Sequence, residues 1–195
     1  MAETPSEMLP LGTAAPEFKL PDPDGKMHSL ADAANSRAYL VMFICNHCPF
    51  VKHVADELAK LGRDYESQGV AIFAINSNDV EKYPDDGPGK MKEEAARRGY
   101  TFPYLLDADQ DVARAYKAAC TPDFYLFDAN RVLVYRGQLD GSRPGNGVPV
   151  DGSNLRQALD AVLADQLVPT DQVPSVGCNI KWKPGNEPGY FGRAG

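Results

Sequence analysis

Two apolar strands on either side of one helix constrain this chain more than any other feature. Ala38 to Ile44 reads AYLVMFI, a continuous apolar run that suits a strand covered on both faces. Val51, Val54, Ala55, Leu58 and Leu61 then recur at helical spacing in a stretch ending at Gln68. A second apolar strand, VAIFAIN, runs from Val70 to Asn76. Strand, helix and strand in this order form a right-handed crossover, so the two strands lie parallel. Where the first strand gives way to the helix stands Cys45-Asn46-His47-Cys48, followed by Pro49.

The remaining chain fits around this unit. Short strands are expected near Glu17 to Leu20 and Lys26 to Ser29, and helices near Lys90 to Arg98 and Gln110 to Ala119. TFPYLLD between those helices reads as extended, and SNDVEKYPDDGPG before them as a turn-rich loop. Asp123 to Phe127 and Val132 to Gln138 form a hairpin around Asp128-Ala129-Asn130. Arg143 to Gly152 is a loop that could approach the site mouth. Ser153 to Ala164 is a helix with Leu155, Leu159, Val162 and Leu163 on one face and Asp151 or Ser153 as its cap. The expected fold is a single α/β domain over residues 1–195, a mixed central β-sheet flanked by helices on both faces. Its core spans about residues 11–164, and residues 165–195 form an extended C-terminal tail docking on it.

Composition narrows the chemistry. A net charge of −7 without a basic cluster argues against nucleic-acid or anionic-membrane partners. The acidic start lacks a signal peptide's pattern and no apolar run is long enough to span a bilayer, so a cytoplasmic protein is expected. Four cysteines are too few for a disulfide scaffold at 195 residues, which leaves cysteine chemistry as the lead.

At a strand-to-helix junction, Cys45 is expected to face the helix's unpaired N–H groups, which favour a thiolate. Cys48, expected within the first helical turn, would be the more buried partner that attacks a mixed disulfide on Cys45. Pro49 is tolerated there because its missing N–H has no intrahelical partner anyway. Zinc is the competing reading, with Cys45, Cys48 and Cys120 or His53 as ligands, but a second C-x-x-C or a paired H-x-x-x-H is missing. No metal and no cofactor beyond the redox-active disulfide is expected.

The motifs LGTAAPEFKLPDPDGKMHSL, FICNHCPF and CTPDFYLFD resemble those of the thioredoxin-like superfamily, in the branch of the AhpC/TSA peroxiredoxins and the TlpA/ResA-type reductases. The likeness runs from about Leu11 to Leu163. It implies a thioredoxin-like fold, Cys45 as exposed nucleophile, Cys48 as resolving partner, and Pro122 as a cis-proline beside them, with Thr121 and Pro122 binding substrate. His47 stands between the cysteines as in the C-P-H-C of the strong oxidant DsbA, and is expected to tune Cys45. The chain departs from the peroxiredoxin pattern. Met42 holds the place of the threonine or serine three residues before the peroxidatic cysteine, and Arg136 is a weak candidate for the peroxide-orienting arginine. The acidic residue thioredoxin buries under its dithiol is missing from AYLVMFI.

The expected function is thiol–disulfide oxidoreduction on protein or small-molecule thiols and disulfides. The alternatives are an antioxidant thiol peroxidase using Cys45 and the metal-binding protein described above. Cys120, beside Thr121-Pro122, and His53 are possible accessory residues. Cys178 is expected to be structural, anchored by Ile180 and Trp182 while Lys181 and Lys183 face solvent; a tail folded back to bring it to Cys120 or Cys45 is the alternative.

Overall fold

A computed structural model describes residues 3–192. The strands are β1 (Glu3–Pro5), β2 (Lys19–Pro21), β3 (Met27–Ser29), β4 (Ala38–Phe43), β5 (Val70–Asn76), β6 (Tyr104–Leu106), β7 (Cys120–Thr121), β8 (Asp123–Asp128), β9 (Leu133–Gly137) and β10 (Val176–Asn179). The helices are α1 (Pro49–Tyr65), α2 (Pro88–Arg98), α3 (Asp111–Ala115) and α4 (Ser153–Leu163). A central sheet runs β6-β5-β4-β8-β9, with β4, β5 and β6 parallel and β8 and β9 antiparallel to their neighbours.

Period-two alternation sorts each central strand into two faces. Leu40, Met42, Ile72, Ala74, Phe124 and Leu126 pack on one side under α1, α2 and α4, together with Cys45, Cys48 and Cys178. Tyr39, Val41, Phe43, Phe73, Tyr125 and Phe127 pack on the other, beneath the N-terminal segment, α3, Ile180 and Trp182. Every residue of β4 is buried, as a strand with two covered faces requires. No described helix is long and apolar enough to cross a membrane.

Two expectations change. The helix expected over Gln110 to Ala119 is five residues long, because Gln110 and Lys117 adopt left-handed φ of 66° and 52°. The tail does more than dock. Strand β10 pairs antiparallel with both β1 and β7 in a small second sheet, so residues before Leu11 and after Ala164 close the fold together. Ile180 and Trp182 are buried, whereas Lys181 and Lys183 are partly exposed, in the alternation expected. The cap of α4 is Gly152, in left-handed backbone at φ 67°, with the Asp151 carboxylate accepting from Ser153 N–H at 2.9 Å.

Candidate active site

The site forms where β4 ends, α1 begins and the β7–β8 segment crosses beneath. Cys48 is the N-cap of α1, in extended backbone, with Pro49 as the first helical residue. It therefore sits one position before the first turn, next to the helix's free N–H groups, without a capping hydrogen bond from its side chain. The Thr121–Pro122 peptide is cis. Thr121 spans the pair: its hydroxyl lies 3.5 Å from Cys45 Sγ, and its carbonyl accepts from Cys48 Sγ at 3.2 Å.

Cys45 is 2% exposed and Cys48 fully buried, so the expected exposed nucleophile is covered. The loop after β5 covers it. That loop carries Asp86, which is fully buried and whose carboxylate accepts from Asn46 N–H (2.8 Å), His47 N–H (3.2 Å) and Asn78 Nδ2 (2.8 Å). Its Oδ2 also lies 2.5 Å from His47 Nδ1. The His47 ring stacks on Tyr83 at 5.4 Å and 6° between planes, and its Nε2 is buried without a partner among the described residues. Burial opposes the charge on Asp86, but the hydrogen bonds from His47, Asn78 and Asn46 outweigh it and hold the carboxyl below its ordinary range.

These groups reverse the expected titration order. The neighbouring Cys48, burial and the negative Asp86 all push the Cys45 thiol well up. The neighbouring Cys178 and Cys45 thiols pull Cys48 down, against the cost of its burial. Cys45 is thus pushed up and Cys48 down, opposite in direction to the expectation from the sequence.

The other candidates separate. His53 Nε2 donates to Ser142 Oγ at 2.7 Å, and Ser142 in turn donates to Val148 O, so His53 holds the Arg143–Gly152 loop to α1 and contacts no cysteine. It lines a small pocket with Phe50, Pro122 and Arg143, which brings that loop to the site's edge. Cys120 is fully buried, donates to Pro122 O at 3.7 Å, and is pushed up by burial and by Asp123. The Arg136 guanidinium is occupied by Leu9 O (2.9 Å) and Gln172 Oε1 (2.7 Å). Among the described residues, the donors grouped closely enough to hold a metal ion are Cys45, His47 and Asp86, mutually within 4.8 Å, instead of the set with Cys120 or His53. A cleft lined by Asn46, His47, Lys52, Asp85, Lys90 and Glu93 lies beside them.

Sequence reasoning missed Asp86, Tyr83 and Asn78. The available signal was position: their loop leaves the carboxyl end of β5, the sheet edge at which α/β folds place their ligands.

A family model described as AhpC/TSA family matches residues 11–136. Among curated proteins, the chain is 30% identical over 133 residues to the thiol-disulfide oxidoreductase ResA of Geobacillus thermodenitrificans, covering 65% of this chain and 68% of that protein. It is 32% identical over 116 residues to a Mycobacterium tuberculosis protein named as a peroxiredoxin, covering 59% and 68%. Among solved structures, an uncharacterized conserved protein from Geobacillus kaustophilus superposes with a TM-score of 0.93 at 56% identity, over 95% of this chain and 98% of that one. A thiol:disulfide interchange protein DsbE from Chlorobium tepidum superposes with a TM-score of 0.64 at 22% identity, over 80% and 99%, and shows the thioredoxin-like fold.

Proposed function

The chain belongs to the AhpC/TSA family of thioredoxin-like oxidoreductases, and on that premise we propose that it exchanges thiols and disulfides through Cys45 and Cys48. The observation that carries this reading is the two sulfurs bracketing Thr121 at the cis-Pro122 segment, at the start of α1.

In the reducing direction Cys45 gives its proton to His47, which Asp86 orients, and attacks one sulfur of a substrate disulfide. The substrate S–S bond breaks and one substrate thiolate leaves with the electron pair. Cys48 then attacks Cys45 Sγ in the mixed disulfide, the second substrate thiolate leaves, and a Cys45–Cys48 disulfide remains. Two electrons have passed to substrate, and the reverse sequence oxidises a dithiol. Substrate backbone is held extended by Thr121 and Pro122, and the disulfide is the sole prosthetic device required. A reducing cytoplasm suits such a protein.

Peroxide reduction ranks second. A relative carries a peroxiredoxin name, but Met42 offers no hydroxyl and Arg136 is engaged with Leu9 and Gln172. The test is insulin-disulfide reduction beside peroxide consumption, with Cys45→Ser and Cys48→Ser variants. The reading expects insulin reduction that both variants abolish; peroxide turnover that survives Cys48→Ser but not Cys45→Ser would favour the peroxidase.

A further inference from the structure

The tail strand brings a third thiol to the pair. In the β7–β10 ladder Cys178 stands directly opposite Thr121, and Asn179 opposite Cys120. Residues paired across an antiparallel ladder project on the same face with Cβ atoms about 5 Å apart. The Thr121 hydroxyl is 3.5 Å from Cys45 Sγ, so that face is the dithiol's, and Cys178 shares it; Cys120, one residue along, faces away. Cys178 is 2% exposed and packs in the same cluster as Cys45 and Cys48, with β10 lying against α1. Gly177 permits this approach, because a Cβ there would overlap the Thr121 carbonyl.

We propose that Cys178 is a third redox thiol of this site, exchanging with Cys48 so that the disulfide can pass from Cys45–Cys48 to Cys48–Cys178. The proposal rests on the dithiol reading above. In the step, Cys178 thiolate attacks Cys48 Sγ; the Cys48–Cys178 bond forms, the Cys45–Cys48 bond breaks, and Cys45 leaves with the electron pair. The proton Cys178 gives up is matched by the one Cys45 gains. No electrons enter or leave, so no external oxidant or reductant takes part. The outcome is an oxidised protein whose disulfide is withdrawn from the cleft and whose Cys45 is again a thiol.

Tryptic peptides separate the states. Cys45 and Cys48 share the peptide spanning residues 38–52, Cys120 lies in 118–131, and Cys178 in 157–181. Protein oxidised with glutathione disulfide, quenched in acid and alkylated should yield both the intrapeptide disulfide of 38–52 and a crosslink of 38–52 to 157–181 with Cys45 alkylated. A Cys45→Ser variant, its fold checked by circular dichroism, should lose two of its three thiols and show the same crosslink. An intrapeptide disulfide alone in the wild type, or glutathione trapped on Cys48 in the variant without the crosslink, overturns the third-thiol role. If the variant does not fold, the wild-type map decides alone. Absence of every disulfide involving 38–52 would instead overturn the dithiol reading itself.

Discussion

Asp123 provides a quantitative test of how the site is built. It follows Pro122 directly and is fully buried, accepting from the hydroxyl of Ser6 beside β1 and from Tyr125 Oη at 3.0 Å. Burial outweighs these hydrogen bonds and pushes its carboxyl up to about 7, against an ordinary value of 3.8. The native state therefore binds a proton that the unfolded chain has released, between about pH 4 and pH 7. Stability from this group is fully present below the unfolded value and is lost as pH rises through the folded one. At about 1.4 kcal/mol per unit, the contribution reaches on the order of 4 kcal/mol at most, a large part of a typical domain's stability. Asp123→Asn keeps the shape without the charge, and Tyr125 can turn its hydroxyl to accept from the amide. Urea unfolding of both proteins from pH 4 to pH 8 should show the variant gaining on the wild type by several kcal/mol as pH rises, with the change centred below pH 7. A difference that stays constant across the range would refute the burial argument.

Other positions test the covering loop and the tail. Asp86→Asn replaces a charged acceptor of His47 and Asn78 with an amide that donates where they donate, at a cost of about 2 to 4 kcal/mol in chemical unfolding. Because Asp86 is depressed in the fold, its contribution is present above about pH 4 and lost below, so the variant's unfolding should be flatter with pH in that acid range. The same substitution removes the negative charge facing Cys45; in a Cys48→Ser background the Cys45 thiolate should form at lower pH, and formation at higher pH would contradict the assigned cause. Gly177→Ala forces β10 away from the Thr121 carbonyl, and should lower the thermal midpoint markedly while Gly189→Ala, where a Cβ meets open space, does not.

The parts legible in the sequence are those carried by local pattern. AYLVMFI and VAIFAIN announced their strands because both faces are apolar, and the spacing from Val51 to Leu61 announced α1. Cys45 and Cys48 were visible through the junction they occupy, and Pro122 through resemblance alone. What stayed hidden depends on long-range pairing. Strand β10 is four residues with a glycine, set between Pro174 and Pro184, and it shows no period until it lies between β1 and β7. Without that pairing, Cys178 reads as an anchor. Asp86 sits in a polar loop whose composition suggests only turns, and its burial follows from the donors of Asn46, His47 and Asn78 converging on it. The opposite shifts of the two thiols have the same origin: they depend on which sulfur lies beside Cys178 and which faces Asp86, a placement that spacing does not encode.

The central claim is that Cys45 and Cys48 form a reversible redox pair, and a redox titration tests it most directly. Protein equilibrated in glutathione buffers, quenched in acid and alkylated should lose the two thiols of the 38–52 peptide together, in one two-electron transition. Its midpoint should lie above thioredoxin's value of about −270 mV, because Cys48 stands at the N-cap of α1, where the helix's free N–H groups favour a reduced, ionised sulfur. A peptide that keeps both thiols free across the accessible glutathione range would contradict the account.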